Sequence, residues 1–385
     1  MRAFSDVAFA DIIAEVDRLR ASPDQQDALA ALLAEQSPIY AGRPTGEAER
    51  LRGYLLASFD QAGLPESVLP FVIEELEGGL NPYVVAAAAK ALRGAGRLPD
   101  RIPALLLSAI DRIRGSDDIV NFDLPPGPAT VPPVTALTEM FRTLAWLGHR
   151  ARESAPQLRE WLDLRPSCFS ASVRAEVETA LTAVSDGSGQ PMAHCCDAQP
   201  APISFAPKVQ SGVDIGTTEL QDQDGAVFSF ADFFVGRPSV LTFFYSRCMN
   251  PNKCSLTVTK LARLQQRIHG DGLAGRFNIA AVSYDPAFDL PARLRLYGAD
   301  RGMSFDDRSR LLRTTGPFEP FRRWLDLGVG YGSTTVNQHR LDIVVLDNAG
   351  RPCAGAVRVQ WDEAEVLAAL KALPPCGAPA SSDGA

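Results

Sequence analysis

Apolar residues recur at helical spacing from Phe4 to about Ser185. Phe9, Ile12, Ile13, Val16 and Leu19 fall on one face of a helix. Asp24 leads into a second helix through Gln36, and Thr45–Phe59 reads as a third, with Thr45 as its N-cap. Beyond Val213 the period changes, and short strand-length runs alternate with helical segments. Thr218–Phe230 reads as two short strands about an Asp224-Gly225 turn, and Phe230–Phe234 as a short helical turn. Val240–Tyr245 is nearly all apolar or aromatic, the pattern of a strand buried on both faces. Ser255–Ile268 reads as a helix that turns Leu256, Leu261, Leu264 and Ile268 inward. Phe277–Ser283 is the next central strand, and Asp289–Tyr297 a helix with Pro291 in its first turn. Leu341–Leu346 and Ala356–Gln360 form a strand pair, and Asp362 caps a final helix to Leu373.

The first half repeats itself. Leu69-Pro70, Ile102-Pro103 and Ala155-Pro156 each place a proline near a helix start, where its missing N–H costs little. An alanine- and leucine-rich second helix follows each, with similar endings at Ala91-Leu92 and Thr143-Leu144 and a weaker third copy over Val173–Val184. Ala87–Ala89 and Ala91 permit close helix approach. The pairs resemble HEAT-like repeats, which stack into a solenoid with a protein-binding concave face; a plain helical bundle is the alternative. The proline-rich stretch between Ser116 and Pro133 reads as a long loop on one face.

A chain of 385 residues is long for one core. The partition is a helical domain over 1–185, a linker over 186–211, a second domain over 212–374 and a tail over 375–385. The fold class is therefore multidomain α and α/β: a HEAT-like solenoid, then a thioredoxin-like domain. A net charge of −8 gives no broad basic field for nucleic acid or an anionic membrane. No run of about 18 apolar residues is present, which excludes membrane insertion by a helix. Asp6, Asp11 and Glu15 interrupt the first residues, so a cytoplasmic protein is expected.

The seven cysteines, Cys168, Cys195, Cys196, Cys248, Cys254, Cys353 and Cys376, are too few and too uneven for a disulfide scaffold. In a reducing compartment such clusters favour metal or redox chemistry. His194-Cys195-Cys196 follows the linker's Ser185–Pro191 turn residues. A trans peptide holds vicinal cysteines badly for a disulfide. Two readings stay open for this triplet: a linker with incidental thiols, or an auxiliary metal or thiol-relay segment. His149 and His269 read as helix C-terminal residues favoured by the dipole. Cys353 reads as core or sheet edge, and Cys168 as a loop residue.

The chemistry concentrates after Val240–Tyr245. That run leads to Cys248, a polar loop Met249–Lys253, Cys254 and a helix. A helix N-terminus favours thiolates, and Lys253 adds a positive charge beside Cys254. No Gly-rich phosphate loop, serine elbow or HExxH pattern accompanies it.

From Gly212 to Leu373 the chain resembles the Sco/SenC family of copper-binding, thioredoxin-fold proteins. The segments that carry the resemblance are Leu220–Gly225, Val240–Tyr245 leading to Cys248, Ala280–Pro286 with Asp289-Leu-Pro291 behind it, and His339 before Val344–Gly350. The resemblance implies that Cys248, Cys254 and His339 bind copper and that Asp285 lies near the thiols. Two thiolates and an imidazole are a soft set that suits Cu(I) and tolerates Cu(II). The spacer between the cysteines here is five residues, against the family's usual three. The expected function is a cytosolic Sco-like metal-binding protein whose helical repeats hold a protein or peptide client. The alternative is a thiol–disulfide oxidoreductase in which one of Cys248 and Cys254 attacks and the other resolves; the sequence leaves open which.

Overall fold

The computed structural model describes residues 8–122, 134–164, 167–186, 210, 212–358 and 360–373. His194, Cys195 and Cys196, Cys376, the tail and most of the linker and proline-rich loop lie outside the described residues. The chain divides into two compact units. One holds the described residues to 186 together with 330–338, and the other holds 210–329 and 339–373. Gly330–Gln338 thus cluster with the first unit although they fall inside the stretch 212–374.

Unit 1 is helical: α1 Phe9–Arg20, α2 Gln26–Ala31, α3 Thr45–Ala62, α4 Leu69–Gly78, α5 Pro82–Ala91, α6 Ile102–Ile113, α7 Ala136–Leu147, α8 Ala155–Asp163 and α9 Ala171–Asp186. A two-residue ladder, β1 Ile119–Val120 with β2 Val134–Thr135, precedes α7. Pro70, Pro103 and Pro156 lie in the first turns of α4, α6 and α8 as the pattern predicts. Each of these helices is followed by a partner, and α3, α5, α7 and α9 touch in succession while α4 touches α6. Ala86–Ala89 and Ala91 are wholly buried, so α5 sits close between its neighbours. Two expectations shift. α2 is shorter than Asp24–Gln36 because Pro23–Gln25 winds as a separate 3₁₀ turn. Thr45 is inside α3 rather than its cap, which falls on Pro44 with no side-chain bond.

A charge cluster ties the front of this unit together. Arg52 on α3 is buried and meets Glu35 at 3.1 Å, Glu75 at 2.7 Å and Glu74 at 3.8 Å. It also donates from Nη1 to the Leu33 carbonyl at 3.1 Å. Burial alone would push the guanidinium pKa down, but Glu75, Glu35 and Glu74 outweigh it and hold the group above its ordinary value.

Unit 2 carries a seven-stranded sheet. Its strands are β3 Glu219–Asp222, β4 Val227–Ser229, β5 Ser239–Phe244, β6 Asn278–Ser283, β7 Ser309–Thr314, and, after a hairpin β8 Val329–Tyr331 and β9 Val336–His339, β10 Asp342–Leu346 and β11 Pro352–Val357. The order is β11-β10-β5-β6-β7-β3-β4, with β5–β6 and β6–β7 parallel and the other pairs antiparallel. The helices are α10 Phe230–Phe234, α11 Leu256–Gly270 between β5 and β6, α12 Pro291–Ala299 between β6 and β7, α13 Glu319–Trp324 and α14 Glu363–Ala372. β5 and β6 are buried at every position, as a covered parallel core requires. A strand, a cysteine loop and a helix feeding such a core make a thioredoxin-like α/β domain.

Here too the structure adds to the pattern. β7, α13 and the β8–β9 hairpin have no counterpart in the sequence periodicity. β11 runs from Pro352, earlier than Ala356–Gln360, and carries Cys353 exposed on the sheet edge. α12 starts at Pro291 rather than Asp289, whose side chain is used elsewhere.

Arg52→Met leaves three buried carboxylates without their counter-charge, and removing one partner of a buried ion pair costs about 3–5 kcal/mol. The denaturation midpoint of the helical unit, followed by far-ultraviolet circular dichroism, should fall accordingly. A shift below about 0.5 kcal/mol, the range of an ordinary surface change, would show the cluster to be dispensable.

Candidate metal centre

β5 ends at Phe244, and Tyr245, Ser246 and Arg247 lead to Cys248. The chain then winds Pro251–Ser255 as a single π turn before α11 begins. Lys253 breaks from helical angles inside that turn, at φ −110° and ψ −107°. The turn is wide enough to take up the longer spacer, so Cys254 still faces Cys248. The Asn250 side chain accepts from the Asn252 N–H at 2.8 Å, and Gln360 donates to the Asn252 carbonyl at 3.0 Å, which pins the loop.

His339, at the end of β9, completes the group. Its Nε2 lies 3.4 Å from the Cys248 sulfur and 3.7 Å from the Cys254 sulfur. All three donor atoms fall within 4.8 Å of one another. His339 Nδ1 donates to the Arg340 carbonyl at 3.3 Å, which turns Nε2 towards the thiols. The Tyr284 hydroxyl donates to the same carbonyl, also at 3.3 Å, and Lys253 donates from Nζ to the His339 carbonyl at 3.4 Å. The rings of Tyr245, edge-on at 5.4 Å, and Tyr284, at 5.8 Å, wall the imidazole.

The separations suit one ion. At bond lengths of about 2.0–2.3 Å to nitrogen and sulfur, three donors at trigonal angles stand roughly 3.7 Å apart. Cys254 and His339 are buried and Cys248 half-buried, so the group opens to solvent on the Cys248 side. Among the described residues this is the group of metal-ligating side chains so arranged.

The two thiols differ in charge. A hydrogen bond from Cys254 and the proximity of His339 lower the Cys248 pKa against the opposing effect of burial. Burial, and then the hydrogen bond and charge of Cys248, raise that of Cys254. Burial and the two thiols also raise that of Tyr245.

Asp285 takes a place one step back. It accepts from Arg247 Nε at 3.1 Å, and that guanidinium stacks on Phe288 at 4.2 Å. It therefore braces the residue before Cys248. Asp289 has a supporting role that residue-by-residue reading missed. Its wholly buried carboxylate accepts the Ser246 N–H at 3.1 Å and the hydroxyls of Ser246 and Ser283. It thereby joins the ends of β5 and β6 just ahead of the cysteine loop. The sequence signal was its place before Pro291, one position ahead of where a helix cap belongs. Cys168 and Cys353 are exposed and free, and stand apart from the group.

A model of the SCO1/SenC family matches residues 212–320, which takes in both loop cysteines, Asp285 and Asp289 but ends before His339. Residues 212–320 are thus similar to the SCO1/SenC family. Among solved structures, the chain is similar to a SCO1/SenC family lipoprotein from Bacillus anthracis at 17% identity and a TM-score of 0.37, over 46% of this chain and 99% of that one. It is similar to Bradyrhizobium japonicum ScoI with copper bound at 22% identity and a TM-score of 0.33, over 41% and 97%. It is also similar to yeast Sco1 at 20% identity and a TM-score of 0.31, over 43% and 99%. No curated protein matches.

The thiolate is the reactive form of cysteine. With the Cys248 pKa lowered and that of Cys254 raised, iodoacetamide at pH 6 should label Cys248 in the reduced, metal-free protein and leave Cys254 untouched. Cys254→Ser weakens the bond that lowers the Cys248 pKa, so labelling at pH 6 should slow. Peptide mass mapping decides both; equal labelling of the two cysteines would contradict the asymmetry.

Proposed function

We propose that this chain is a Sco-like copper-binding protein in which Cys248, Cys254 and His339 hold the ion. The observation that carries the reading is the convergence of two sulfurs and one imidazole nitrogen within a metal's reach, on a region that the SCO1/SenC family model matches. The donor set selects the metal, because two thiolates favour Cu(I) over harder ions and the imidazole keeps Cu(II) accessible. Copper bound there would draw Cys254 into its thiolate form, while His339 keeps its Nδ1 proton on the Arg340 carbonyl. We place the protein in the cytoplasm, a reducing compartment that keeps adjacent thiols competent for Cu(I). No helix among the described residues is long and apolar enough to cross a membrane.

The helical pairs are read as a HEAT-like solenoid that receives a protein or peptide client. What supports this is the succession of proline-started pairs, in which α4 touches α6, α5 touches α7 and α7 touches α9. The net charge of −8 disfavours nucleic acid as that client. His194, Cys195 and Cys196 would serve as an auxiliary thiol and imidazole source in the same transfer.

A second reading is supported by the thiol asymmetry. A half-buried Cys248 thiolate beside a buried, protonated Cys254 is the order of an attacking and a resolving cysteine. The Cys248 thiolate would attack one sulfur of a client disulfide and release the other as a thiolate. Cys254, on losing its proton, would then displace the client and leave a Cys248–Cys254 disulfide.

Anaerobic titration of the reduced protein against a chromophoric Cu(I) chelator separates the readings. The expected result is one Cu(I) per chain, lost in Cys248→Ser and Cys254→Ser. Even changes outside the ligand set cost metal sites about 10–100-fold, so His339→Ala should weaken binding by about 100-fold or more. Unchanged stoichiometry and affinity in all three variants would rule out copper at this site. A client mixed disulfide trapped on Cys248 in Cys254→Ser would favour the second reading.

A further inference from the structure

Tyr245 touches every member of the Cys248, Cys254 and His339 group, and all four residues belong to unit 2. It follows the last residue of β5 and is buried. Its carbonyl accepts the Cys248 N–H at 3.3 Å, which closes the turn into the cysteine loop. A backbone hydrogen bond from Tyr245 reaches the Cys254 sulfur. Its ring stands edge-on to the His339 imidazole, with centroids 5.4 Å apart and planes at 86°. Its phenol hydroxyl hydrogen-bonds the Cys248 sulfur. Tyr284, which also walls the imidazole, places its hydroxyl elsewhere, on the Arg340 carbonyl.

The bond from Tyr245 differs in kind from the other side-chain bonds on that sulfur. In the metal-free protein the Cys248 thiolate also accepts from the Cys254 and His339 side chains and from the Cys254 backbone. Both of those side chains are ligands in the copper reading. When an ion enters, Cys254 gives up its proton and the His339 Nε2 lone pair turns to the metal, so both cease to donate. The Tyr245 hydroxyl is not a ligand and keeps its proton, because burial and the two thiols raise its pKa above the ordinary value. Its bond to Cys248 therefore outlasts metal entry. Donation to a thiolate draws charge from the sulfur, and in a buried site the bond is stronger than in water. Cu(II) asks more electron density of its thiolates than Cu(I) does, and hydrogen bonding around a ligating sulfur is one lever on a copper site's potential.

We infer that Tyr245 determines which oxidation state of copper the centre prefers: its O–H, held on the Cys248 sulfur, biases the site towards Cu(I) over Cu(II). This deepens the copper reading and rests on it. The two thiols and the imidazole select copper, and the phenol acts on the choice between its two oxidation states. It does so without coordinating, so the ligand count and the stoichiometry are the same with or without the hydroxyl.

Tyr245→Phe removes the hydroxyl and keeps the ring against His339. The full chain and this variant are titrated without oxygen, with Cu(I) and with Cu(II) separately, each against a chromophoric chelator. One ion per chain is expected in both proteins. The ratio of Cu(I) to Cu(II) affinity should fall by about tenfold in the variant, the lower end of what a group just outside the ligands of a metal site carries. The sulfur-to-Cu(II) charge-transfer band should move to lower energy, because the sulfur is richer in electrons without the bond. An unchanged ratio, or an equal loss of both affinities with the band unmoved, overturns the inference, the second outcome marking a packing role. If the unmutated chain takes up no Cu(I), it is the copper reading that falls. The hydrogen bond itself is read in the reduced, metal-free chain. At pH 8, where Cys248 is a thiolate, a hydrogen-bonded sulfur is the weaker nucleophile. Tyr245→Phe must therefore raise the iodoacetamide labelling rate at Cys248 several-fold, and an unchanged rate refutes the bond.

Discussion

The candidate metal centre depends on bringing one imidazole nitrogen to two sulfurs that lie far from it in the chain. His339 Nε2 stands 3.4 and 3.7 Å from the sulfurs of Cys248 and Cys254. The cysteines are local to each other and share one turn at the mouth of β5, whereas His339 arrives on a separate strand. The sheet makes the meeting possible. β10, which follows His339 after two residues, pairs with β5, which leads to Cys248. Register between these strands therefore bears directly on ligand distance. The Asp289 carboxylate adds a brace beneath the loop by joining the ends of β5 and β6.

Much of this was legible in the residues. The apolar run before Cys248, the helix after Cys254 and the change of period near Val213 each follow from burial, and burial leaves a periodic trace. Proline at the start of α4, α6 and α8 is legible for a local reason, its missing N–H. His339 was reached through the resemblance alone; no spacing rule ties it to the cysteines. The hairpin escaped notice because Val336-Asn-Gln-His has no apolar alternation. All four residues are buried, yet three are polar, and Asn337 is satisfied by carbonyls some 300 positions away in the sequence. β7 escaped for a related reason. Its arginines find partners at Asp222 and Gln221, so a strand of mixed polarity is sheltered by pairs that the local pattern does not display.

The thiols illustrate how one arrangement supports two chemistries. A lowered Cys248 pKa and a raised Cys254 pKa describe a single shared proton more than two independent groups. That proton is what a soft metal displaces, and its place between the sulfurs is also what lets one cysteine attack while the other waits. Metal binding and thiol exchange therefore compete for the same lone pairs. Cys248, the less buried of the two, is the one a partner reaches first in either case.

The third ligand is what separates the two chemistries. Thiol exchange needs only the sulfurs, whereas a tight copper site needs the imidazole as well. Arg340 fixes the strand after His339, its N–H bonding the Gly328 carbonyl and its side chain Asp342. A ligand whose backbone is fixed in this way keeps its distance without relying on the metal to draw it in, which reduces the ordering cost of binding. The cysteine loop has its own braces at Asp285 and Asp289, so the imidazole and the thiols are positioned by separate sets of bonds.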